Sequence, residues 1–157
     1  MSHHTAIVAW ERGGDVFTDN HYSRAHLWRF DGGAEVAASS SPANVRMPFS
    51  VAANVDPEEG FVAVISSCHM LWFLGLAAAA GYCVDSYRDA ADGVAAKNAA
   101  GHDWMAQVTL RPDIVFSGGK LPDDEAVAAL HHRAHQACHI ANSVTTGIVI
   151  AGAWRAA

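Results

Sequence analysis

The sequence predicts one α+β domain over residues 1–157, with helices packed on an antiparallel sheet. Three observations predict it. Segments with strand character cluster instead of alternating with helices. A long apolar stretch, 57–80, carries helix start and stop signals at its two ends. A chain of 157 residues suffices for one proper core and is short for two.

In chain order, Thr5–Glu11 is a short apolar strand, and Tyr22–Phe30 sets aromatics at alternate positions before the turn Asp31-Gly32-Gly33. Ala34–Ser39 returns as its hairpin partner. A long helix is expected at about 57–80. Asp56 caps it, Pro57 suits the first helical position, Glu58 and Glu59 load the first turn, and Gly81 follows the last apolar turn. It is apolar around most of its circumference, so it should be covered on nearly all sides, by a sheet and by a second subunit. Cys83–Asp89 and Met105–Val115 read as strands around a polar loop at Asp92–Asp103. After Pro122-Asp123-Asp124 a second helix runs to about Cys138, its apolar face carried by Val127, Ala128 and Leu130. Val144–Ala151 closes the chain as a buried strand, giving the order βββ-α-ββ-α-β.

Composition narrows the function classes. With 51% hydrophobic and 17% charged residues the chain is neither disordered nor fibrous. A net charge of −6 with only 10 Lys+Arg provides no basic stripe for phosphates, so nucleic acid and anionic membrane surfaces are excluded as expected partners in favour of a small uncharged one. Residues 61–80 approach a membrane span in length, but Ser66, Ser67, His69 and Gly75 interrupt them and Ala77–Ala80 add little lipid affinity. A buried central helix is the expectation. Met1–Thr5 lacks the basic-then-apolar pattern of a secretory signal, which favours the cytoplasm. Three cysteines is an odd count that no closed disulfide framework accommodates, and thiols in a reducing compartment are fillers, catalytic groups or ligands.

The chemistry-bearing residues concentrate in two stretches, Ser66-Ser67-Cys68-His69-Met70 and Ala134-His135-Gln136-Ala137-Cys138-His139. His131, His135 and Cys138 or His139 share a helical face, and imidazole with thiolate suits zinc. No His-Glu-x-x-His or paired-cysteine knuckle accompanies them, however, and one helical face rarely closes a tetrahedral shell, so no metal is expected. A cysteine hydrolase needs a base within reach of its nucleophile. His69 adjoins Cys68, and helix neighbours point about 100° apart. Thiol redox chemistry asks for less: an accessible thiolate, a positive group that lowers its pKa, and a second thiol to resolve the sulfenic acid. The residues alone leave that reading open beside two inert buried cysteines.

Asp56-Pro57-Glu58-Glu59 ahead of Ser66–Met70, then Ala134–Ser143, together resemble the OsmC/Ohr family of thiol-dependent peroxidases, and Tyr22–His26 with Phe30–Gly33 resembles its OsmC-like branch. The resemblance implies an OsmC-like fold with two long central helices in an intertwined homodimer. It implies reduction of organic hydroperoxides without flavin, haem or metal, at the expense of an external dithiol such as a lipoyl group. By the same resemblance Cys68 is the peroxidatic cysteine, Cys138 the resolving one, and Glu58 the carboxylate that holds an activating arginine. Arg24 is preferred for that arginine, because a strand position is well fixed, with Arg46 in reserve. Ten residues separate Glu58 from Cys68, a rise of about 15 Å in a straight helix. Either the arginine spans the gap or the helix breaks near Ser66-Ser67. His69 and His139 stand where the family often has an apolar residue, and are read as fillers; Cys83 matches no catalytic position and is expected to pack in a strand. Phe61, Met70, Trp72 and Phe73 are candidates for an apolar substrate pocket. A second reading of the same resemblance is an OsmC-like binding or structural dimer with little peroxidase activity.

Overall fold

Asp31-Gly32-Gly33 turns the chain back on itself as expected. In the computed structural model, which describes residues 1–157, Gly33 takes φ +87°, a left-handed conformation that glycine adopts without a Cβ clash. Around this turn strands β2 (His26–Phe30) and β3 (Glu35–Ala38) pair antiparallel, and β1 (Ala6–Ala9) pairs antiparallel with the other edge of β2. The expected strand Tyr22–Phe30 is shorter than its pattern. Arg24 N–H donates to Phe49 O (2.8 Å) and Ser23 N–H to an Asp15 carboxylate oxygen (3.0 Å), so residues 22–25 bond to loops instead of a neighbouring strand. Arg24 therefore precedes the strand on which the sequence pattern sets it.

Helix α1 (Pro57–Ala79) begins with a capping box: Asp56 Oδ1 accepts from Glu59 N–H (2.7 Å), and Glu59 Oε2 accepts from Asp56 N–H (3.1 Å). Gly60 lies against Trp28; a Cβ there would stand 2.8 Å from the indole ring. The helix runs unbroken through Ser66-Ser67, so no fresh helix start adjoins Cys68. The chain divides into two compact units, Met1–Gly60 and Phe61–Ala157, the boundary falling inside α1.

The second unit holds two three-stranded sheets and helix α2 (Asp124–Ala137). β4 (Cys83–Asp89), β7 (Pro112–Ser117) and β9 (Ala153–Ala156) form one, in the order β4-β7-β9; β5 (Asp92–Lys97), β6 (Asp103–Leu110) and β8 (Gly147–Ile150) form the other, in the order β5-β6-β8. Both sheets are mixed. β4–β7 and β5–β6 are antiparallel as expected, whereas β6–β8 and β7–β9 are parallel, which corrects the all-antiparallel expectation. The segment Asp92–Asp103, expected to be a loop, contains β5, whose residues are all exposed and so carry no inward-facing alternation.

One strand of the expected pattern is split, and a further strand lies beyond the last one expected. Met105–Val115 divides at Arg111 because Pro112 has no N–H to continue the ladder. The expected closing strand Val144–Ala151 is shorter than its pattern and, as β8, alternates between exposed and half-buried residues instead of being buried; after Ala151-Gly152 the chain continues as β9, which was not expected. Both crossings from one sheet to the other lie side by side: a Cβ on Gly152 would stand 2.4 Å from Pro112 Cγ and 2.5 Å from its carbonyl oxygen, so only glycine allows this approach.

Helix α1 buries one stripe, Ile65, His69, Phe73 and Ala77, at four-residue spacing. Phe73 and Ala77 pack with Ile114 and Phe116 of β7 and with Val127, Leu130 and Ala134 of α2; Ile65 packs with Val108 and Leu110 of β6. On α2 Ala134 takes the buried place expected for Ala128. Val64, Leu71 and Trp72, on the rest of α1, are exposed, so within this chain the helix is covered along a single stripe. α1 is long and apolar enough to cross a membrane by length and composition, but its buried stripe is that of a core helix. Phe73 is fully buried against the rings of Tyr87, Phe116 and His131. Phe73→Ala is therefore expected to destabilise the protein by about 3–5 kcal/mol; a urea unfolding midpoint close to the native one would contradict that packing.

Candidate functional site

The residues singled out in the sequence fall into two groups, one in each unit. In the second unit Cys68 projects half-buried from the middle of α1 into an apolar cleft of about 430 Å³, lined by Ala63, Val64, Ser67, Leu71 and Trp72. Of the four aromatic and sulfur side chains expected to line such a pocket, only Trp72 does. Phe73 is core and Phe61 packs on the Ile65 cluster, because both fall on or beside the buried stripe; Met70 is absent from the lining.

Cys138 caps the C-terminal end of α2, its N–H donating to Ala134 O (2.9 Å) and His135 O (3.3 Å). It is fully buried, and its Sγ accepts from Ala141 N–H (3.3 Å). Burial pushes its pKa up, and the neighbouring Cys68 thiol adds to the rise, against the Ala141 N–H. The structure thus brings Cys68 and Cys138 together, the first accessible and the second held as a neutral thiol. Cys83 lies on a strand as expected, at the start of β4, but it is exposed there and not packed.

His69 is not a simple filler. Its Nε2 lies 3.0 Å from His131 Nδ1 on α2, with the two rings nearly parallel (13°). Burial, and then the proximity of His131 and His135, pushes its pKa down to about 4 against the opposing charge of Asp89; burial alone does the same for His131. Both imidazoles are neutral at pH 7, one nitrogen donating and the other accepting. His131 is thereby engaged with His69 and not with the cysteine end of its own helix. Beside this pair, Ser66 Oγ donates to Asp89 Oδ2 (2.6 Å) and Arg111 N–H to Asp89 Oδ1 (2.6 Å), tying α1 to the end of β4. The Tyr87 hydroxyl is buried without a partner, and burial raises its pKa.

In the first unit Arg24 and Glu58 line one cavity of about 420 Å³ with Trp10, Phe17, Tyr22 and His26. Glu58 Oε1 accepts from Asn44 Nδ2 (3.1 Å), while Oε2 is buried with no partner. The Arg24 guanidinium lies 3.7 Å above the Tyr22 ring and donates to Asn20 O (3.1 Å), to Asn20 Oδ1 (2.5 Å) and to Tyr22 O. His26 receives Trp28 Nε1–H on Nε2 (3.0 Å), so its Nδ1 carries the proton that bonds Arg24 O (2.8 Å). Arg46 lies against Phe49 in a separate cleft that Arg24 also borders and Glu58 does not.

Sequence reasoning missed the partnership of His69 with His131 and the Ser66–Asp89 bond. The polar residues inside an apolar helix signalled that partners existed; sixty-two positions of separation hid which ones.

The family model for OsmC-like proteins matches residues 51–151, which span both cysteines and Glu58. No curated protein matches the chain. Among solved structures, an OsmC-like protein of unknown function from Vibrio cholerae is 52% identical over 98% of this chain and 100% of its own, with a TM-score of 0.95. Two more distant structures share the fold. An organic hydroperoxide resistance protein from Elizabethkingia anophelis is 18% identical over 100% of this chain and 98% of its own, with a TM-score of 0.70. An organic hydroperoxide resistance protein from Legionella pneumophila is 14% identical over 98% and 97%, with a TM-score of 0.63. With the family model covering most of its length, the chain belongs to the OsmC-like family.

Proposed function

We propose that this protein is a thiol-dependent peroxidase that reduces organic hydroperoxides to alcohols. The observation that carries the reading is the pairing of a half-buried Cys68 in an apolar cleft with a fully buried Cys138 beside it. The Cys68 thiolate attacks a peroxide oxygen, the O–O bond breaks, and the alkoxide leaves as alcohol after taking a proton. The Cys68 sulfenic acid then condenses with the Cys138 thiol, giving a disulfide and water. An external dithiol, a lipoyl group for example, restores both thiols by exchange. No flavin, haem or metal enters these steps.

Arg24 is the arginine assigned to stabilise the thiolate and the leaving oxygen, with Glu58 orienting it. Supporting Arg24 over Arg46 is the cavity it shares with Glu58, whose Oε2 is an unused acceptor for a guanidinium. A second copy of the chain is the proposed cover for the exposed Val64, Leu71 and Trp72 beside Cys68. Sizing at low concentration is then expected to return roughly twice the 16.6 kDa of the chain; a stable monomer would contradict the dimer. A cytoplasmic location, which keeps all three cysteines reduced between turnovers, goes with this reading.

Thiol titration before and after one equivalent of cumene hydroperoxide tests the assignment. Two thiols per chain are expected to disappear in the native protein and one in Cys138→Ser. Three unreacted thiols would instead favour a binding or structural dimer. Because the cleft beside Cys68 is apolar, cumene hydroperoxide is expected to react on the order of 10-fold or more faster than hydrogen peroxide, and equal rates would remove the cleft from the argument.

A further inference from the structure

We propose that His69 and His131 are positioning residues for the Cys68–Cys138 disulfide: their hydrogen bond locks the register of α1 against α2, and that register sets whether the two sulfurs meet. This rests on the peroxidase reading, in which those sulfurs join. His69 follows Cys68 directly, and His131 lies seven residues, or about two helical turns, before Cys138. The bond between them is 3.0 Å long, His69 is only 2% exposed, and the Phe73 ring lies 4.5 Å from that of His131. Packing alone would be served here by leucines. A directional bond between two neutral rings instead fixes how the helices face each other, since a slide or rotation leaves both nitrogens buried and unpaired. The groups facing His69 are His131 and His135 from α2 and Asp89 from β4. Asp89 is itself engaged by Ser66 and by the Arg111 N–H, which leaves His131 as the hydrogen-bond partner.

The step served is condensation. The S–O bond of the Cys68 sulfenic acid breaks, the S–S bond forms, and the hydroxyl leaves with the Cys138 proton as water. A disulfide tolerates Cα separations of only about 4.4–6.8 Å, and a misplacement of about 1 Å costs on the order of 100-fold in rate. Register between the two helices therefore sets how fast the sulfenic acid is resolved and how stable the disulfide is.

The test compares the full-length native protein with His69→Leu/His131→Leu and with His131→Asn. The double variant removes both polar partners, leaves neither nitrogen orphaned and so keeps the fold; asparagine supplies a polar atom near the position of His131 Nδ1 and is the rescue. The first readout is the equilibrium of the Cys68–Cys138 disulfide against a glutathione redox buffer, in a Cys83→Ser background, which needs no peroxide. The second is the rate at which Cys68 sulfenic acid forms. The double variant is expected to lower the effective concentration of the thiol pair by about 10- to 100-fold, to form sulfenic acid at the native rate, and to be restored within about threefold by asparagine at 131 with His69 intact. An effective concentration within twofold of native in the folded double variant overturns the positioning role alone. A native protein that forms no such disulfide in the glutathione buffer or with peroxide overturns the peroxidase reading and this inference with it.

Discussion

Replacing Cys68 with serine is expected to abolish turnover of cumene hydroperoxide with dihydrolipoamide, by on the order of 10⁴-fold or more. A serine hydroxyl is not ionised near neutral pH and forms no sulfenic acid, so neither the attack nor the condensation has a counterpart. Packing changes little, because Cys68 is half-buried in an open cleft and the substitution preserves volume. The loss is therefore expected in rate without a matching loss in unfolding midpoint. Cys83→Ser is the control: Cys83 is exposed on β4, with only a long contact to Asp85 (3.8 Å), and its replacement is expected to leave turnover unchanged. Retained activity in Cys68→Ser would remove this cysteine from the chemistry; lost activity in Cys83→Ser would mean that the wrong thiol had been assigned.

Acidification from pH 7 to 4 is expected to destabilise the fold by several kcal/mol. Unfolded, His69 and His131 take up protons near the ordinary 6.5; folded, each resists protonation until about 4, chiefly because it is buried. Between those values the unfolded chain binds more protons than the folded one, so stability falls as pH falls through this window and levels off below it. A depression of this size is worth about 3 kcal/mol for one histidine taken alone, and the two together contribute less than twice that because they share one bond. Urea unfolding at pH values from 7.5 to 4 is the measurement, with His69→Leu/His131→Leu as comparison. The native midpoint is expected to fall through the window and that of the double variant to fall much less. Parallel pH profiles would show that other groups, the carboxylates first among them, carry the acid sensitivity.

The long helix was legible because its signals are local: a capping box at Asp56 and Glu59, proline at the first position, and glycine after the last turn. Helix α2, with Asp123 as its cap, was legible for the same reason. Both cysteines were legible as motifs, since each stands in a short string whose order along the chain resembles one family. The hairpin at Asp31-Gly32-Gly33 needed only a residue tolerant of positive φ. Strand β5 was invisible because every one of its residues faces solvent, leaving no alternation to read. The division at Pro112 carried a signal, a proline without an N–H to donate, that the apolar run on both sides outweighed.

By itself the sequence determined where helices and most strands form, which residues are the candidates for the chemistry, and that the chain belongs among OsmC-like proteins. These follow from periodicity, caps and motifs that act over a few residues. Only the tertiary structure decided the direction in which strands pair, since a strand's period-2 pattern is the same whether its neighbour runs parallel or antiparallel. It also decided that Trp72 lines the cleft while Phe73 fills the core, because two adjacent apolar residues on a helix point about 100° apart and the packed sheets determine which one is covered. And it decided that His69 bonds His131, a partnership between residues sixty-two positions apart that exists only once α1 and α2 have packed.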